Sequence, residues 1–127
     1  SRQANFERQC MFFDNYPDYF SNPQETYGCN TAWLAFPILI KEGAPFTRKK
    51  FQIFLEKKNI QTRVVFTGNI LRQPMCQNIS KKVMKKGYPN ADRVMARGVL
   101  LPLHHGMTES MFSRFHATVH EFIEQYD

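Results

Sequence analysis

Three short apolar runs constrain this chain more than anything else in it. They are "AWLAFPILI" (Ala32 to Ile40), "IQTRVVF" (Ile60 to Phe66) and "VLLPL" (Val99 to Leu103). Each has the length of a strand, and none approaches the ~20 apolar residues that a membrane helix needs. Around them the apolar residues fall into helical spacing. Phe6, Cys10 and Phe13 lie at i, i+4 and i+7 in a helix expected from Arg2 to about Phe13. Phe51, Phe54 and Leu55 make the inner face of a second, from Arg48 to Lys58. Met111, Phe112, Phe115, Val119, Phe122, Ile123 and Tyr126 form one broad stripe in a last helix. Three short strands cannot cover their own faces. The expected class is therefore α+β: a small antiparallel or mixed sheet of about three strands packed with helices.

Local signals punctuate these elements. Thr47 and Thr108 are N-cap residue types before the second and last helices, and Asn59 can take the left-handed stop. Lys57 and Lys58 suit the helix C-terminus. "NYPDYFSNP" reads as an extended connection pinned by Tyr16, Tyr19 and Phe20. Pro37 marks an edge or bulge, since it cannot donate to a ladder. Alternation puts Trp33 and Phe36 on opposite faces and covers the strand from Arg63 to Phe66 on both sides. Ile79 to Lys86 reads as a short helix. Asn90 is expected to cap another, which runs to Arg97 and ends at Gly98. The first helix has no evident cap.

The chain has 127 residues, 43% of them hydrophobic, with 12 phenylalanines. That composition describes a packed core of rings and excludes a disordered segment. Three scattered cysteines argue against a disulfide framework or a zinc motif. No apolar leader precedes the body, so a cytoplasmic setting is expected. The net charge of +6 is concentrated in "TRKK", "EKKN" and "KKVMKK". Runs of this kind attract phosphates in some proteins and ordinarily solvate helix faces. The pattern of aromatics on one sheet face that reads RNA is absent. The start "SRQANFERQC", without Met, reads as a piece of something longer.

No catalytic engine stands out: there is no G-x-S-x-G, no glycine-rich phosphate loop and no convincing pair of carboxylates. His116 and His120 are four apart on a helix, but flank its apolar stripe and lack the H-E-x-x-H pattern, so they read as boundary residues and not as metal ligands. His104 and His105 end a strand, where they serve either a substrate or only their turn. Side chains of adjacent residues in extended chain diverge, so at most one faces a given pocket. The richest stretch is "TRVVFTGNILRQP" (Thr62 to Pro74), where a strand opens into Gly68, Asn69, Arg72 and Gln73. A guanidinium beside two amides suits a phosphate or carboxylate. The same groups can also satisfy their own loop. Composition and spacing leave both readings standing.

Residues 33–74 and 90–112 resemble the C-terminal part of nucleotide-sugar enzymes of the DegT/DnrJ/EryC1/StrS type, within the fold-type I pyridoxal-phosphate superfamily. The resemblance covers nearly the whole chain in order. Its specific parts are "TRVVFTGNILRQP" and "DRVM". Phe66, Thr67, Gly68, Asn69, Arg72, Gln73 and Pro74 match the pattern of 3-dehydratases acting on CDP- or GDP-4-keto-6-deoxy sugars. Sugar aminotransferases, the alternative, carry a "TRVHYP"-like run there. A non-enzymatic basic binding module is a further alternative.

The resemblance implies a C-terminal small domain: residues 1–24 are a helix and connection from a large domain, and residues 25–127 are the α+β body. It implies pyridoxal or pyridoxamine phosphate in the full-length enzyme and none held by this piece. In such enzymes the cofactor is an electron sink, a base takes a proton and the C3 hydroxyl leaves. The catalytic residues then lie outside this chain. Arg63, Asn69, Arg72, Gln73, His104 and His105 are the expected substrate contacts. A homodimer, lipopolysaccharide or deoxysugar synthesis and, in some members, an iron–sulfur reductase belong to the same implication. No metal, nucleic acid or membrane is expected.

Overall fold

A computed structural model describes all residues, Ser1–Asp127. The helices are α1 (Arg2–Phe13), α2 (Arg48–Lys57), α3 (Pro89–Arg97) and α4 (Glu109–Ile123), and the strands are β1 (Phe20–Ser21), β2 (Phe36–Ile40), β3 (Arg63–Val64) and β4 (Gly98–Leu101). The four strands form one sheet in the order β1-β2-β4-β3, antiparallel throughout. The α+β class holds. The sheet has one strand more than expected, because the connection after α1 pairs Phe20 and Ser21 with Ile40 and Leu39. No helix is long and apolar enough to cross a membrane.

One face of the sheet makes the core. Phe36, Ile38 and Ile40 of β2 and Val99 and Leu101 of β4 meet Phe6 and Phe13 of α1, Phe51 and Leu55 of α2, and Phe115, Val119, Phe122 and Ile123 of α4. Phenyl rings tile this layer edge-to-face, as at Phe46–Phe122 (centroids 4.8 Å apart) and Phe13–Phe20 (5.0 Å). Such pairs add a fraction of a kcal/mol to about 1.5 kcal/mol each beyond their buried area. Helix α3 contributes nothing to this core. It lies against β2 and β4, where Val94 shares an open concavity with Pro37, Leu39 and Val65.

The capping signals at Thr47 and Thr108 act as read. Their side chains accept from Lys50 and Met111 N–H. Asn59 takes φ 58° at the end of α2. Other expectations are corrected. Ser1 does cap α1, accepting from Ala4 N–H. Residues 79–86 form no helix; four lysines within eight residues leave no apolar face to bury. Asn90 sits inside α3, which starts at Pro89, a residue preorganised for the first helical position. Trp33 lies outside the sheet and stacks on Phe6 at 4.4 Å; Phe6 also touches Phe36, so Trp33 and Phe36 share a side. Met111 is exposed although it belongs to the α4 stripe. Pro37 is tolerated because β1 reaches only Leu39 and Ile40, leaving no strand beside Pro37 there.

Candidate functional site

Beyond β3 the chain leaves the sheet abruptly. Phe66 adopts φ 47° and Gly68 φ 65°, both left-handed. Gly68 is required on two counts. Its φ suits glycine, and a Cβ there would stand 2.3 Å from Cβ of Met95 on α3. The expected burial of this strand on both sides does not occur. Val64 is 46% exposed, and Phe66 is 87% exposed. The strand is only two residues long and sits at the sheet edge, so no layer covers it.

Asn69 then caps a 3-10 turn, Ile70–Arg72, accepting from Leu71 N–H at 3.0 Å. Its Nδ2 donates to Asp92 Oδ1 at 2.8 Å. Arg72 meets the same carboxylate with two donors: Nε to Oδ1, and Nη2 to Oδ2 at 2.8 Å. These bonds, Arg72's first and Asn69's second, pull the Asp92 pKa down to about 2. Gln73 Nε2 donates to Thr67 O at 2.9 Å and ties the loop's two ends together. Asn69 is 6% exposed, whereas the Arg72 side chain is 61% exposed. The donors thus divide. Asn69 and Gln73 hold the loop, and Arg72 reaches outward.

Asp92 is the residue that sequence reasoning missed. It lies inside the "DRVM" stretch, but its partners are 20 and 23 residues away. On α3 it is one turn before Met95, the residue under Gly68, so both attachments of the loop use one helix face. Helix α3 is itself anchored: Arg48 Nη1 donates to Met95 O at 2.6 Å and to Gly98 O at 3.4 Å.

The remaining candidates separate. Arg63 is exposed on β3 opposite Leu100, and no carboxylate pairs with its guanidinium. His104 and His105 follow β4 at the end away from the loop. Register puts Val64 beside Val99, so the loop leaves at the Gly98 end. The length of β4, about 10 Å, separates the two ends. His104 Nδ1 accepts from Gly106 N–H at 3.2 Å, and its carbonyl accepts from Asn5 Nδ2 at 2.8 Å. It borders an open concavity with Gln61, Pro102, Met107 and Arg114. His105 is exposed. On α4, His116 is half-buried and bonded to Gln9, and His120 Nδ1 shares a 2.8 Å hydrogen bond with Tyr16 OH. No three metal-ligating side chains come together.

A small antiparallel sheet with a helical layer on one face, and a clamped donor loop at its edge, recurs as part of larger solved structures. One such structure, a Brucella abortus DegT DnrJ EryC1 StrS aminotransferase, superposes over 95% of this chain and 30% of its own, with TM-score 0.77 and 17% identity. The sequence profile of the DegT/DnrJ/EryC1/StrS aminotransferase family matches residues 2–120, and the chain belongs to that family. It is 30% identical over 107 residues to the lipopolysaccharide biosynthesis protein RfbH of Salmonella typhimurium, covering 84% of this chain and 24% of that protein. It is 32% identical over 101 residues to dTDP-4-dehydro-2,6-dideoxy-D-glucose 3-dehydratase of Saccharopolyspora spinosa, covering 80% and 22%. The chain therefore spans about a quarter of the length of the curated relatives it matches.

Proposed function

We propose that this chain is the C-terminal small domain of a pyridoxal- or pyridoxamine-phosphate-dependent nucleotide-sugar 3-dehydratase, working in lipopolysaccharide or deoxysugar synthesis. The observation that carries the reading is the loop after β3. It matches the dehydratase pattern residue by residue, and its exposed guanidinium, Arg72, is held by Asp92, which also takes the buried Asn69. The names of the two relatives above point the same way.

The residues present do not seat the cofactor by themselves. The loop has no lysine, its Gly68 N–H is spent on Val65 O, and Arg48 nearby is spent on carbonyls of α3. In the whole enzyme the cofactor supplies an electron sink for loss of the C3 hydroxyl. This chain's share is to bind, to orient and to exclude water. Arg72 offers a donor to a substrate oxygen, Arg63 offers an unpaired cation to the diphosphate, and Asn69 and Gln73 hold the loop shape. His104 and His105, at the far end of β4, form a separate second group. A cytoplasmic homodimer completes the reading.

The test uses the full-length enzyme with CDP-, GDP- and dTDP-4-keto-6-deoxy sugars, read by mass spectrometry. Loss of the C3 hydroxyl is expected. Gain of an amino group instead would assign a sugar aminotransferase, and no reaction with any of them would overturn the proposal. The 127-residue chain alone is expected to hold pyridoxal phosphate no better than a simple amine does. An absorbance band surviving dialysis would contradict that.

A further inference from the structure

We infer that Asp92 is a positioning residue: it fixes the direction in which Arg72 presents its guanidinium, and so sets which substrate oxygen that group takes. The inference rests on the functional reading above and adds a residue to it. Asp92 engages the Nε and Nη2 edge of Arg72 with both carboxylate oxygens, which leaves the Nη1 protons and the second Nη2 proton as the free donors. A two-point contact between planar groups fixes orientation as well as distance. The Arg72 side chain is otherwise largely exposed and on a flexible stem, so nothing else described around it would hold that direction.

The same carboxylate takes Asn69 Nδ2, and Asn69 caps the turn that carries Arg72. Asp92 thereby sets both the side chain and the backbone beneath it. Its own place is fixed by α3, whose Met95 packs under Gly68 and whose C-terminal carbonyls are held by Arg48.

The pairing also changes what Arg72 can bind. A guanidinium already matched by a carboxylate carries little net charge outward. It suits a neutral acceptor, such as a hydroxyl or carbonyl oxygen of the sugar, better than a phosphate. Arg63, with no paired carboxylate, is the group left for the phosphates.

Asp92→Asn separates the two functions of the carboxylate, since an amide oxygen still accepts from Asn69 while the ion pair is lost. In the full-length enzyme the substitution is expected to lower kcat/KM about tenfold. Thermal unfolding should change little. In an Arg72→Ala background the same substitution is expected to do nothing further, because its effect runs through Arg72. An equal loss in both backgrounds, or no loss where Arg72→Ala alone causes one, overturns the inference. So does an Arg72→Ala variant with unaltered kinetics. Should the unsubstituted enzyme act on no nucleotide sugar, the functional reading fails instead. The positioning is then read from crystals of the full-length chain: Arg72 ordered on Asp92 in the parent and disordered in Asp92→Asn supports it, and an unchanged Arg72 overturns it.

Discussion

His116 Nε2 donates to Gln9 Oε1 at 2.7 Å, joining α4 to α1 through a glutamine that is wholly buried. The imidazole lies flat on Phe12, ring centroids 3.9 Å apart. Burial, with a smaller contribution from the nearby Arg8 charge, lowers the His116 pKa to about 4. The ring is therefore neutral at pH 7, with its proton on Nε2.

A pH dependence follows from that pair. Between about pH 6.5 and pH 4 the unfolded chain binds a proton at His116 that the folded chain refuses. Stability is thus undiminished above pH 6.5 and falls as the pH drops through that window. With the ring half-exposed, the loss should be of order 1 kcal/mol once solvent screening is allowed for. Urea unfolding at pH 7.5 and pH 4 should show it in the parent, and His116→Gln should narrow the difference between the two. An unchanged difference would mean that the ring is not the titrating group.

Gly68→Ala should destabilise the fold by about 2 kcal/mol or more, from a left-handed φ and a collision with Met95 together. Gly43→Ala, where an added Cβ meets nothing, should stay within about 0.5 kcal/mol. Parallel denaturation curves measure both. Equal effects would mean that the loop has room to shift away from α3.

Phe66 is the odd phenylalanine. Phe6, Phe13, Phe20, Phe36, Phe46, Phe51, Phe112, Phe115 and Phe122 are buried, while Phe66 projects into solvent at a positive φ. Asparagine tolerates that backbone better. Phe66→Asn should raise the stability of this chain by up to about 1 kcal/mol, seen as a higher denaturant midpoint at unchanged slope. A loss instead would show that the ring stabilises the loop. In the full-length enzyme the same substitution should raise KM if the ring faces substrate.

Acid should release the clamp late. The Asp92 pKa is held down near 2 by Arg72 and then Asn69, so what the carboxylate contributes is complete above pH 4 and lost between about pH 4 and pH 2. The small stability difference between the parent and Asp92→Asn should be flat from pH 5 to pH 8 and shrink only below pH 4. A difference that shrinks already at pH 5 would mean that the ion pair does not form in solution.

The strand-length apolar runs and the helical periods led from sequence to the right class of fold, α+β, and these elements were legible for a local reason. Thr47 and Thr108 cap by reaching an N–H three residues on, and Asn59 needs only its own backbone to turn left-handed. The α4 stripe repeats every turn, so one long face announced itself, with Met111 the exception at its margin. The donor loop was visible as a concentration of residue types. Its internal division, into Asn69 that holds and Arg72 that reaches, was not.

Tertiary structure alone decided the rest. Phe20 and Ser21 became a strand because Ile40 and Leu39 passed beside them. Trp33 and Phe36 came to one side because Phe6 filled the space between them. Gln9 could be buried because His116, 107 residues later, supplied its hydrogen bond. Asp92 acquired its place in the site when α3 docked under the loop. Hydrophobic period, caps and turn chemistry act over a few residues and can be read along the chain. Burial, polar pairing and the direction of an exposed guanidinium depend on which distant surfaces meet, and only the packed chain brings those together.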